Sequence, residues 1–191
     1  MKPADPSAPF TSLDWGIGGR SVGTASHGEW IHDIDSRTDN PDEKDEGDMY
    51  PHPELPDVTL ERGKMRHPAT GEIREYEEGW KDVEILPVGG SNNGQRCSVV
   101  LETVSDATHS AETGRGLIVR VGQYCQGIIR VGPSVTSERW MWDADEGWTR
   151  VARIGEGARL PCHITWQRAL TEGDYHTEEG ILWIAREVRT W

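Results

Sequence analysis

The sequence predicts an all-β protein, and three observations carry that expectation. Apolar residues almost never recur at helical spacing. Short alternating runs stand in their place, punctuated by Gly, Pro, Asn and Asp. The connections between runs are short, which joins neighbouring antiparallel strands and suits barrels or sandwiches better than a parallel α/β sheet.

Taken in chain order, alternation predicts strands over 12–17 (SLDWGI), 28–35 (GEWIHDID) and 57–63 (DVTLERG). A longer run, 71–86 (GEIREYEEGWKDVEIL), is expected to bend or split at Gly79. Further strands are predicted over 96–104, 115–122, 124–132, 135–143, 147–154, 160–166 (LPCHITW) and 180–188. Two segments interrupt the pattern. The stretch 35–57 is acidic and Pro-rich and reads as a long surface loop. PVGGSNNGQ (87–95) reads as a flexible connection between an N-terminal lobe, 1–90, and a C-terminal lobe, 91–191.

Charge narrows the choice of partners. In 191 residues, 33 Asp and Glu outnumber 20 Lys and Arg, for a formal −13. Such a surface repels phosphate backbones, which excludes nucleic acid and anionic membranes as partners. Only 35% of residues are hydrophobic, yet nine are Trp and one is Phe. Indole therefore has to supply much of the core, at roughly 150–250 Å² per buried ring. Cys97, Cys125 and Cys162 are too few and too scattered for a disulfide framework or a zinc site. They read as buried structural thiols with mild redox sensitivity. The opening MKPADPSAPFTS lacks a signal-peptide core, and no apolar run of ~20 residues occurs. These features point to a cytoplasmic, reducing location.

Four strings, WIHDIDSRTDNPDEKDEGDMYP, GKMRHPATGEIREYEEGWKD, IVRVGQYCQGIIRVG and ERWMWDADEGWTRVARIG, resemble the fungal Hri-one family in the family's own order. The resemblance spans about Leu13 to Cys162. It implies two lipocalin-like β-barrel lobes, a cytosolic location and protein partners, and it supplies no catalytic residues. The β-rich segment that precedes the LDW strand in the family is missing here, so the first lobe is expected to be shortened and incomplete. An opened barrel must cover its edges, by homodimerisation or by a wider cavity.

Three stretches look chemical. In ERWMWDADEGWTRVARIG, alternation places Glu138, Trp140 and Trp142 on one strand face, with Trp148 and Arg150 on the matching face of the return strand. Turned inward, the indoles would wall a cavity. Glu138 would then be a general acid, or a fixed ion pair with Arg150. The same tryptophans could instead staple the hairpin while the charges lie at its rim. DADEG is a turn, without calcium-loop spacing. In GEWIHDID, Trp30, His32 and Ile34 share a face, which makes His32 either a pocket base or a satisfied core histidine. In YEEGWKD, Tyr76, Glu78, Trp80 and Asp82 share a face unless a bulge at Gly79 reverses the parity.

Dinucleotide, P-loop, zincin, G-x-S-x-G and kinase signatures are all missing, so no cofactor and no metal is expected. Two functions compete. One is a small organic ligand held in a Trp-lined cavity, with cofactor-free isomerisation or cyclisation in fungal secondary metabolism. Glu138, His32 and Tyr76 would be its catalytic residues, and Trp30, Trp80, Trp140, Trp142, Trp148 and Arg150 its walls and anchor. The other is a non-catalytic interaction module that captures a protein through the acidic segment 35–57; a plain ligand carrier lies between the two.

Overall fold

The computed structural model describes residues 15–38, 44–67, 70–88, 95–104 and 114–191. The chain is all-β: two antiparallel sheets, of five and seven strands, and one four-residue helix. It divides into two compact units. One holds the described residues up to Gly18, Ile34–Ser36 and Ile85–Trp191; the other holds Gly19–Asp33 and 37–84. No helix among the described residues is long and apolar enough to cross a membrane.

The five-stranded sheet is an up-and-down meander, β1 (Ile17–Thr24), β2 (His27–Asp35), β3 (Asp45–Pro51), β4 (Val58–Arg66) and β5 (Ile73–Lys81). Two readings of the sequence are corrected here. The acidic stretch 35–57 is not a loop throughout, because β3 runs through it as the central strand. Its charges concealed it: both faces of β3 carry carboxylates that pair with neighbouring strands, so no apolar alternation marks the segment. The run 71–86 neither splits nor bulges at Gly79, which sits in register opposite Leu60, and the strand ends at Lys81. Residues 15 and 16 of the predicted 12–17 strand precede β1, and 12–14 lie outside the described residues.

The seven-stranded sheet has the order β10-β9-β8-β7-β6-β12-β11. Its strands are β6 (Cys97–Thr103), β7 (Arg115–Val121), β8 (Tyr124–Val131), β9 (Ser134–Asp143), β10 (Gly147–Ile154), β11 (Tyr175–Glu178) and β12 (Ile181–Thr190). Tight turns set the hairpins. Gly122 and Gly132 take φ of 52° and 54°, a left-handed conformation that glycine adopts without a Cβ penalty. In DADEG the Asp143 carboxylate accepts from the amides of Asp145 (2.8 Å) and Glu146 (3.3 Å), which makes the segment a self-capped turn.

A third correction concerns 160–166, where a strand is predicted. Pro161 offers no amide to a ladder. Its carbonyl instead accepts from Ile164 at 3.1 Å and starts a helical turn, α1 (Ile164–Gln167). That turn lays Trp166 over the sheet, and Leu160, Cys162 and Ile164 join Val99, Leu101, Ile118, Cys125, Ile129, Trp183 and Ala185 in one core. Trp183 fills the core's centre, and Gly116 leaves it room: a Cβ there would lie 2.4 Å from the indole. β11 falls in the gap between the strands predicted over 160–166 and 180–188.

Candidate functional site

The residues singled out in the sequence fall into two groups, one in each unit, and each group is described by itself. In the seven-stranded unit the β9–β10 ladder pairs Trp142 with Trp148 and Trp140 with Arg150, so Glu138, Trp140, Trp142, Trp148 and Arg150 do share a face. A bulge at Val151 then shifts the register and brings Arg153 opposite Glu138 on that same face. Straight alternation would turn Arg153 away, which is why the sequence reading missed it.

Glu138 is buried, 4% exposed, and its oxygens accept from three donors. They are Arg150 at 3.0 Å, the Trp140 indole N–H at 2.8 Å, and Arg153 in a still shorter bond. Charge-assisted bonds of this kind are shorter and stronger than bonds between neutral groups. Trp166 stacks on Trp148 with centroids 4.3 Å apart and tilts against Trp140 at 5.5 Å. The guanidinium of Arg150 lies over the Trp140 ring and that of Arg120 over Trp148. Indoles and guanidinium groups therefore stack on one another beside Glu138.

In the five-stranded unit, register alone assembles the second group. Opposite residues of an antiparallel ladder project from the same face. Trp30 pairs with Asp45, Gly47 with Gly63 and Gly63 with Tyr76, while Glu61 pairs with Met49 and Glu78. One face thus gathers Trp30, His32, Asp45, Glu61, Tyr76, Glu78 and Trp80. Gly28, Gly47 and Gly63 form a track across it. A Cβ at Gly47 would lie 2.6 Å from the Glu61 carboxylate, and one at Gly63 2.6 Å from the Tyr76 ring. Their bareness makes room for the polar cluster.

The cluster is a continuous hydrogen-bonded chain. His32 Nε2 lies 2.9 Å from Asp45 Oδ2. The Tyr76 hydroxyl reaches Asp45 Oδ1 at 3.5 Å and donates to Glu61 Oε1 in a very short bond. The Trp80 indole N–H donates to the other Glu61 oxygen at 2.5 Å. Glu61 is 2% exposed, and both of its donors are neutral groups. Its chain neighbour Arg62 projects from the opposite face and pairs there with Glu77. Over the chain, Trp30 and Trp80 stack nearly parallel at 7°, centroids 6.0 Å apart. A flat sheet would hold strands three apart about 14 Å from each other. The two indoles meet by leaning toward each other, Trp30 across Gly28, where a Cβ would lie 2.7 Å from its ring.

Burial, then the Glu61 carboxylate, pushes the Tyr76 phenol far up, so it remains a proton-bearing donor. Desolvation, then Glu61 and Asp45, pushes the Glu78 carboxyl up as well. Folding therefore makes Glu78 hold its proton more tightly, and stability falls as pH climbs from the ordinary glutamate range through the raised value. Glu78 itself is exposed, so water screens most of this effect; Glu78→Gln is expected to raise the melting temperature at pH 7 only slightly and to match wild type near pH 4, about where free glutamate titrates. An equal gain at both pH values would contradict this assignment.

The opposite face of the same sheet carries a groove of about 730 Å³, whose lining includes His27, Asp48, Arg62, Lys64, Glu75 and Glu77. Its charges pair across the strands, His27 with Asp48, Arg62 with Glu77 and Lys64 with Glu75. Exposed pairs of this kind form a solvated charged surface. Among the described residues, no group of three or more His, Cys, Asp or Glu is arranged to hold a metal ion.

Sequence reasoning named Trp30, His32, Tyr76, Glu78 and Trp80 without Asp45 and Glu61, which hydrogen-bond with His32, Tyr76 and Trp80. Asp45 was hidden in the acidic run. Glu61 alternates with Leu60, as an ordinary solvent-facing residue of a half-buried strand would. A family model described as Protein HRI1 matches residues 1–187 of the chain. No curated protein and no solved structure matches it.

Proposed function

The chain belongs to the Protein HRI1 family, and from that premise we propose that it binds a small organic ligand on the inner face of its five-stranded unit. The observation that carries this reading is Glu61, a buried carboxyl group held by a phenol and an indole beneath a stacked pair of tryptophans. Flat rings recognise a flat or cationic body, and a carboxyl group that has only neutral donors adds a polar anchor. With Asp45 and Glu78 on the same face, the ligand's polar end is a proton donor or an ammonium group.

We read the five-stranded sheet as a curled, lipocalin-like lobe whose concave side is this face. The face also carries the parts of a cofactor-free proton shift, the chemistry of an isomerase or cyclase. Asp45 orients the His32 imidazole, and Tyr76 becomes a proton donor to a ligand carbonyl if the ligand displaces its hydroxyl from Glu61. Glu138 has a different role in this reading. Its two guanidinium partners and the Trp140, Trp148 and Trp166 stack make it a structural anchor of the seven-stranded unit. The protein-capture alternative draws less support, because two carboxylates of the acidic segment already face partners within the sheet: Asp45 with His32 and Asp48 with His27.

The test is a titration of ¹⁵N-labelled protein with an arylalkylamine probe and, separately, with the matching arylcarboxylate. The indole N–H signals of Trp30 and Trp80 are expected to shift with the amine and to stay still with the carboxylate. Shifts confined to other tryptophans, or an equal response to both probes, would overturn the assignment.

A further inference from the structure

We infer that two copies of the chain pair edge to edge through β5, antiparallel about a two-fold axis at Glu78, so that their five-stranded sheets join into one continuous sheet. The surface is the strand's outer edge, and it owes nothing to the ligand reading. β4 pairs with β5 along its whole length, and among the described residues no strand pairs with its other side. Such an edge presents a row of unpaired backbone N–H and C=O groups, which proteins blunt by shortness, bulges or proline. The seven-stranded sheet follows this rule: β11 has four residues, and β10 carries the bulge at Val151. β1 has three glycines in eight residues, which weakens it as a pairing strand. β5 has none of these devices. Its register with β4 is unbroken over nine residues, it holds no proline, and its lone lysine stands at its last position. Every residue of β5 except Tyr76 is exposed, Ile73 at 59% and Trp80 at 47% among them.

The sequence of β5 says what covers this edge, because it is complementary to itself. With Glu78 on the axis, Glu75 of each copy stands opposite Lys81 of the other, and Tyr76 opposite Trp80, on shared faces. The two-fold axis makes each pair occur twice. Continued two residues past Lys81, the strand sets Arg74 against Asp82 and the exposed Ile73 against the exposed Val83. Opposite charges, paired aromatic rings and paired apolar residues are the contacts that stabilise a ladder. Neighbouring registers lose them. An axis at Glu77 aligns no opposite charges, and an axis at Gly79 sets Glu75 against Val83 and Tyr76 against Asp82. The formal −13 of each copy opposes association. At physiological ionic strength that repulsion is screened beyond about 8 Å, whereas facing residues of a ladder stand closer. Like charges meet only at the axis, where the two Glu78 side chains face each other.

The full-length chain is followed by sedimentation velocity over a concentration series at physiological ionic strength. The wild type is expected to pass reversibly from monomer to dimer. Lys81→Glu places like charges opposite each other twice and should weaken the dimer about ten-fold or more. The double variant Glu75→Lys/Lys81→Glu should return the dissociation constant to within about three-fold of wild type. Within one chain Glu75 pairs with Lys64 at 3.6 Å and Lys81 with Asp57 at 2.5 Å. The double variant breaks both of those pairs, so its recovery can come only from the other copy. A wild-type chain that stays monomeric up to about 1 mM would overturn the inference, and that result needs no variant to fold. So would a double variant no tighter than Lys81→Glu, or an assembly larger than a dimer, since two-fold pairing leaves no β5 edge to extend.

Discussion

Glu138→Gln is expected to destabilise the seven-stranded unit by about 3 kcal/mol, the lower end of the cost of breaking a buried ion pair. The substitution keeps the shape of the side chain and removes the charge that two guanidinium groups converge on. Arg153 is left without its counter-ion while only 21% of its side chain meets solvent. Arg150 is 43% exposed and stays partly hydrated, which sets the loss at the low end. The urea midpoint should therefore fall, and the affinity for the amine probe should stay at the wild-type value. A fall in affinity with an unchanged midpoint would mean that Glu138 serves a ligand, and the structural role assigned to it would be wrong.

Trp80→Ala should do the reverse. Trp80 is 47% exposed, so its removal leaves little cavity and costs the fold little. The loss falls on recognition: one ring of the stacked pair disappears, and Glu61 loses the indole donor on its second oxygen. An aromatic anchor at the centre of a site contributes roughly 2 kcal/mol or more, about a thirty-fold weakening. Calorimetric titration with the amine probe reads it. An unchanged dissociation constant would remove Trp80 from the site.

The parts of this molecule that were legible in the sequence are those that obey a strict period of two with turns between them. The strands from β6 to β10 and β12 fall close to their predicted spans, because their inward residues are mostly apolar and their turns carry glycine. The family was also legible, from four strings in their proper order. What was not legible depends on departures from the period or on partners remote in sequence. The bulge at Val151 adds one residue and delivers Arg153 to Glu138. Pro161 turns a strand-like string into the helical turn that seats Trp166. β3 opens on three carboxylates in four residues, with no apolar alternation to mark it, and Asp45 gains its meaning only when β2 and β5 bring His32 and Tyr76 to it. The hairpin at 138–150 attracted attention by its density of indole, yet density marks packing as readily as it marks a site. Glu61, unmarked in its string, turned out to be the carboxyl group that the aromatic face is built around.

The most direct measurement is a crystal structure of the chain with the arylalkylamine probe bound. The account predicts the probe's ring against Trp30 and Trp80, with its ammonium nitrogen within hydrogen-bonding distance of the Glu61, Asp45 or Glu78 carboxyl groups. A probe seated against Trp140, Trp148 and Trp166, or in the charged groove on the other face of the five-stranded sheet, would contradict it.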